Sequence, residues 1–307
     1  MRTEKKNKDR AGIKKWLEFG IKTGELSDFY LDYGGKVSVL KSALQKYIRR
    51  GETEKALKAG KFLYLLAKGS AIDRLKNIVV EDVASATSVV QYLNAEIGPS
   101  QFLACVKFTA DAPKDKKYAI TANRLENLTE RQLSQISSDT EDGLVAHLFL
   151  LGEDKNENEI YSIVGRSPVT ESLVQRAIKG TYFKGDRFCL YAAALDYSQS
   201  PTPDIKLPNV RFDEIEPIKF GDIDWYCLDF HTPVGRTALN FFISKHRDID
   251  RVEFKTAWFM GESAKLGGKV LCRFKMDYNK ELWDKYKDEI KGLVEHCRER
   301  EYRLQDY

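Results

Sequence analysis

Apolar residues recur along this chain at the spacing of a helix rather than of a strand. Val39, Leu40, Leu44, Tyr47 and Ile48 repeat at i, i+3 and i+4, and Ile13, Trp16, Leu17 and Phe19 to Ile21 fall on one face. A period near 3.6 residues gathers such side chains into a stripe, which has to be buried against other stripes. The spacing predicts further helices at 54–66, 71–80, 83–93, 101–109, 128–136, 143–151, 169–182, 234–245, 252–265 and 280–300. Thr53, Thr129 and Ser167 stand where an N-cap belongs, Pro168 suits a first helical position, and Gly69-Ser70 predicts a break. The expected fold class is mainly α, a helical bundle with a smaller α or α+β C-terminal subdomain.

The segment 197–222 carries Pro201, Pro203, Pro208 and Pro217, four of the eight prolines. Proline removes a backbone donor and restricts its predecessor, so this stretch is expected to be a linker or strap. The division that follows is a helical domain at 1–196, the strap, and a C-terminal subdomain at 223–307 that begins with a buried strand or loop at 223–230. No repeat of solenoid length is present.

With 42% hydrophobic and 31% charged residues the 307-residue chain has enough apolar material for a real core. No run approaches the roughly 18 apolar residues of a membrane span, and the first residues lack the apolar stretch of a signal peptide, so a soluble, cytoplasmic protein is expected. The five cysteines are widely spaced without any C-x-x-C pair. They are read as packing residues, and neither a metal nor another cofactor is expected. His147 lies in an apolar helix and is read as a core residue.

The net charge of +4 is too small to identify a nucleic-acid binder. The first fifteen residues hold seven basic side chains against two acidic ones, which reads either as a frayed terminus or as a phosphate-contacting arm. Around His231, Thr232 can cap a helix starting at Pro233 whose free N–H groups face an anion; His231 and Arg236 are then phosphate contacts, and the alternative is a capped helix in which Asp229 pairs with Arg236. Lys179, Lys184 and Arg187 interleave with Tyr182, Phe183 and Phe188, a mixture that either stacks bases or packs as core. Glu81-Asp82 beside Arg74 invites a metal site, but adjacent carboxylates on a helix diverge, which favours a salt-bridged face. Asp248, Asp250, Glu253 and Lys255 supply the acid pair and E-x-K of a Mg-dependent nuclease, on a helix-like stretch where such sites do not normally sit.

Ser42-Ala43-Leu44-Gln45-Lys46-Tyr47-Ile48-Arg49-Arg50-Gly51, then Glu54, Ala56-Leu57, Arg74-Leu75, Ile78, Glu81-Asp82-Val83 and Ala86, together resemble the start of the C-terminal helical region of MgsA/RarA-type AAA+ proteins. That family, which includes the Werner-helicase-interacting protein, carries S-A-L-x-K-x-I-R followed by R-R-L-x-x-I-A-x-E-D-I/V. The resemblance covers about residues 36–95. A weaker likeness joins Leu228–Arg236 and Trp258-Phe259 to a D-x-H-T-x-x-G-R/K element of phage and bacterial relatives. The resemblance implies a helical domain that assembles as a tetramer and works at stalled or gapped replication sites. Lys46, Arg49 and Arg50, clustered basic residues of this stretch, are further candidate phosphate contacts. No G-x-x-x-x-G-K-[ST] occurs, so ATP hydrolysis is not implied. The expected role is a non-catalytic DNA replication or repair accessory protein that self-associates and binds DNA. The alternatives are a scaffold docking on a separate ATPase or clamp, and the nuclease.

Overall fold

The computed structural model describes residues 33–179, 183–201, 205–267 and 279–302. The expected helix at 13–21, the basic N-terminal cluster, Tyr182 and Cys272 lie outside the described residues. Helices make up almost all of the regular structure, and no strand occurs among the described residues. No helix there is long and apolar enough to cross a membrane.

The chain forms two compact units that do not follow the expected sequential division. Residues 44–218 and 265–271 make one, and residues 1–43, 219–264 and 272–307 make the other. One boundary between the units falls inside the strap, between Ile218 and Lys219, while the others, at 43/44, 264/265 and 271/272, were not expected. Most of the strap belongs to the first unit, where the Ile218 N–H donates to the Lys58 carbonyl at 3.3 Å and the Lys61 ammonium bonds the Phe212 carbonyl at 2.9 Å.

In the 44–218 unit, α1 (Tyr33–Arg50) contributes its last residues, followed by α2 (Thr53–Asp82). Thr53 does not cap α2; it is already helical, and its hydroxyl donates to Asp111 instead. The break in α2 falls at Ala67 (φ −154°, ψ 72°) rather than at Gly69-Ser70, which stay helical. The expected α-helix at 83–93 is a 3-10 segment, Ala84–Tyr92. Its Thr87 hydroxyl bonds the Ala84 carbonyl at 2.7 Å, the local competition by which Ser and Thr disfavour a regular α-helix.

Next come α3 (Pro99–Asp111), α4 (Lys117–Leu125), the single turn α5 (Glu130–Leu133), α6 (Glu141–Glu153), α7 (Glu157–Val164), α8 (Pro168–Lys179) and α9 (Lys184–Gln199). Thr129 caps α5 in a capping box with Gln132, and Ser167 caps α8 through the Thr170 N–H at 3.1 Å, both as expected. α9 went unpredicted because it has no single polar face. Phe188 through Leu195 are all buried, and the helix packs on α2, α4, α6, α7 and α8. A helix apolar on all sides is the centre of its unit.

In the 219–264 unit, α10 (Pro233–Lys245) and α11 (Arg251–Trp258) pack on α12 (Lys280–Tyr302). The core is aromatic. Phe242 stacks on Phe254 with centroids 3.9 Å apart, and Tyr286 meets Phe242 edge-on at 5.3 Å. α11 runs into a π-turn, Phe259–Ser263, where the expected helix to residue 265 widens. A Cβ on Gly261 would stand 2.4 Å from the Trp283 ring, so only glycine lets that indole close over the turn. Residues 223–230 are a loop with one 3-10 turn, Trp225–Cys227.

Candidate functional site

Four of the polar residues that carry the family resemblance, Arg49, Arg74, Glu81 and Asp82, converge in the 44–218 unit. Gln45 and Arg49 lie one turn apart on α1 and reach the last two residues of α2. The Arg49 Nε donates to Asp82 Oδ2 at 2.6 Å, and the Gln45 amide donates to the same oxygen at 2.8 Å and to Glu81 Oε2 at 3.0 Å. Arg74 closes the ring by donating to the Gln45 carbonyl oxygen. The Asp115 N–H bonds the Asp82 carbonyl at 3.0 Å, and this brings Lys116 Nζ to 3.5 Å from Asp82 Oδ1.

Asp82 is fully buried, and the side chains of Arg49 and Lys116 are 9% and 7% exposed. Burial alone would raise the Asp82 pKa. The Arg49 and Lys116 charges, with hydrogen bonds from Arg49 and Gln45, overcome it and hold the carboxyl below its ordinary range. Glu81 is pushed up, by loss of water and then by the Asp82 charge. Lys116 is lowered to about 8, by burial and then by the neighbouring Arg49. The carboxylates of Glu81 and Asp82 do not diverge as expected, because one amide bridges both at the helix end. The expected salt bridges are present, to Arg49 and Lys116, within a largely buried network rather than on an open helix face. Among the described residues no group of three His, Cys, Asp or Glu is placed to hold a metal ion.

The lowered Lys116 pKa has a pH consequence. Its folded value of about 8 lies below the ordinary 10.5. The unfolded chain therefore binds more protons between these values, and stability rises with pH across that window and is lost as pH falls through 8. In urea titrations at pH 7.5 and 9.5, the Lys116→Met protein is expected to lose this upward contribution relative to the wild type; parallel slopes for the two proteins would contradict it.

This burial corrects two candidate phosphate contacts, since Arg49 is consumed by Asp82 and Lys46 is only 4% exposed. Arg50 lines an open pocket of about 360 Å³ with Gly51, Asp111, Lys114 and Gly267. The Lys114 ammonium there bonds the carbonyls of Thr109, Ala110 and Ala112 at the end of α3, and burial lowers its pKa to about 8.

The basic–aromatic stretch is mostly structural. Lys184 donates to the Leu128 carbonyl and sits over the Phe149 and Phe188 rings at 5.5 and 5.8 Å. Arg187 bonds Glu153 and the Ala177 carbonyl. Phe188 is buried, whereas Phe183 is 85% exposed and Lys179 is exposed. His147 is exposed, which corrects its reading as a core residue: it falls on the outer side of α6. The described cysteines, Cys105, Cys189, Cys227 and Cys297, are buried free thiols, and burial pushes Cys105 up to about 12.

The nuclease residues are not gathered into a metal site. Asp250 caps α11, accepting from Val252 and Glu253 N–H at 2.8 and 2.9 Å, and Glu253 accepts from the Asn279 amide at 2.8 Å. Lys255 lies over the Phe230 ring at 5.1 Å. Among the described residues no hydrogen bond or ion pair ties Asp248 to these three. Asp250→Ala is expected to cost about 1 kcal/mol through the lost cap, read as a shift in the denaturation midpoint; an unchanged midpoint would remove the capping role.

The His231 loop is the best-defined exposed constellation. Thr232 caps α10 as expected, accepting from Gly235 N–H at 3.1 Å. Asp229 does not pair with Arg236. Its buried carboxylate accepts from the His231 N–H at 3.0 Å and faces His231 Nδ1 at 3.1 Å. The Arg236 guanidinium instead donates to the His231 carbonyl at 3.1 Å, and the Ser38 hydroxyl donates to the same oxygen at 3.3 Å. Two of the three N–H groups expected to face an anion are engaged by Thr232, Gly235 N–H by its hydroxyl and Arg236 N–H by its carbonyl, while the His231 and Arg236 side chains are exposed. The sequence reading gave no site role to Gln45, Lys116, Phe230 or Phe259. Gln45 had a signal, one turn before Arg49 on the same face; Lys116 had none, because it sits in a polar connector. Compared with protein-family models, curated proteins and solved structures, the chain matches none of them.

Proposed function

We propose that this chain is a non-catalytic accessory protein of DNA replication or repair, built on a helical domain akin to that of MgsA/RarA-type proteins, which self-associates and binds DNA. One observation carries the reading. Arg49, Arg74, Glu81 and Asp82, polar positions of the shared motif, meet in a single network although 33 residues separate Arg49 from Asp82. Residues that hold a helical arrangement together are those a shared fold would retain. The remaining exposed contacts for phosphate are His231, Arg236 and Lys179, with Arg50 at the pocket rim.

A second reading, a scaffold that docks on a separate ATPase or clamp without touching DNA, is favoured by the inward engagement of Lys46, Arg49, Lys184 and Arg187. Fluorescence anisotropy with single-stranded, forked and duplex DNA separates the two. Binding that weakens steeply between about 50 and 200 mM salt supports the first reading. No binding to any of the three removes it and leaves the scaffold. Light scattering on the full chain tests self-association, and a strictly monomeric mass removes that part.

A further inference from the structure

Three partly exposed rings adjoin one another in the 219–264 unit. The His231 ring lies 4.2 Å from Phe230, and Phe259 lies 6.1 Å from His231 and 6.4 Å from Phe230, centroid to centroid. Cations stand among them: Lys255 Nζ is 5.1 Å over Phe230, and Arg236 is exposed one turn into α10. Val252, Lys255 and Phe259 follow one another at i, i+3 and i+7, which places them on one face of α11 and its continuation, with Val252 70% exposed.

We propose that this patch of Phe230, His231, Phe259, Lys255 and Arg236 binds single-stranded nucleic acid, His231 and Phe259 stacking bases, Phe230 supporting His231 and Lys255, and the two cations holding phosphates. The inference rests on the reading that the protein binds DNA, and it assigns the contact.

Four features support it. The His231 imidazole is 59% exposed yet held in place, because the buried Asp229 carboxylate engages both its backbone N–H and its Nδ1, which leaves the Nε2 edge on the far side of the ring. A ring fixed in that way loses little freedom when a base stacks on it. Arg236 spends one donor on the His231 carbonyl out of the five a guanidinium offers. The carboxylate beneath the patch is buried and committed to His231, so the charge presented by Lys255 and Arg236 is complementary to phosphate. Stacking requires the open face of a base, which a duplex keeps inside its own stack, and this selects a single strand.

Anisotropy titrations of the full chain with a labelled oligothymidylate and with a duplex of equal length test the proposal. The oligothymidylate is expected to bind more tightly. Phe259→Leu, which keeps apolar bulk but removes the aromatic face, and Phe259→Ala are each expected to weaken it roughly 5- to 150-fold with an unchanged salt slope. Lys255→Ala and Arg236→Ala are each expected to lower the salt slope by about 0.7. Arg211→Ala, an exposed arginine of the other unit paired to Glu214, should bind as the wild type does. Tryptophan fluorescence checks the fold of each patch variant, since Trp225, Trp258 and Trp283 all lie in the patch's own unit. DNA binding that is indifferent to Phe259→Leu and Lys255→Ala, or that prefers the duplex, overturns this assignment and leaves the proposed function standing. Absence of binding to every DNA overturns both.

Discussion

Asp82→Ala is expected to destabilise the 44–218 unit by roughly 3–5 kcal/mol. The carboxylate is fully buried and compensates two buried cations, Arg49 and Lys116, while accepting from Gln45. Removing it takes away the carboxylate closest to both Arg49 and Lys116, while Glu81, 3.9 Å from Arg49, is the more distant one, and the resulting desolvation penalty exceeds what the pair itself contributed. Asp82→Leu combined with Arg49→Met and Lys116→Met is expected to recover most of the loss, because the three most buried charges leave together and Glu81 keeps Arg74 as its neighbouring cation. Urea unfolding followed by far-UV circular dichroism measures both proteins. A single-variant loss below about 1 kcal/mol, the range of exposed ion pairs, would mean that the network is solvated after all. The low Asp82 pKa sets the sign with acid. Its contribution is complete above the ordinary carboxylate range and is lost as pH falls through the lowered folded value, so the wild type should lose an acid-side stabilisation that Asp82→Ala never had.

Gly235→Ala is expected to cost about 3 kcal/mol in the other unit and to abolish whatever the His231 loop binds. A Cβ there would lie 1.9 Å from the Asp229 carbonyl oxygen, 2.1 Å from its carbonyl carbon and 2.4 Å from the Leu228 oxygen. These are backbone atoms with no rotamer to move to, and the Thr232 cap on Gly235 fixes the helix start from the same side. The loop has to shift, carrying His231 and the Asp229 carboxylate with it. The tryptophan fluorescence midpoint reads the cost, because every described tryptophan belongs to this unit. A wild-type midpoint would show that the loop relaxes freely and that the His231 geometry is not specified by this contact.

Helices were legible where a single apolar stripe met a strong terminus. α10 was read from Thr232 and Pro233, α8 from Ser167 and Pro168, and α12 from its period alone. α9 was not, since a helix buried on all sides carries no stripe, and α4 and α7 are short, at nine and eight residues. The candidate sites were legible in part. His231, Thr232 and Arg236 were singled out by spacing, and Thr232 took the predicted cap. Their partners were not, because the choice of Asp229 for His231 rather than Arg236 depends on how the loop folds back.

Local chemistry along the chain determined that it forms helices, where several of them start, and that the four described cysteines go inside. Those outcomes depend on residues within a turn or two of one another. Tertiary structure alone decided which charges are buried, which rings stay open, and that the chain divides into discontinuous units. A lysine in a polar connector has the same sequence whether it faces water or Asp82, and its desolvation is set by residues tens of positions away.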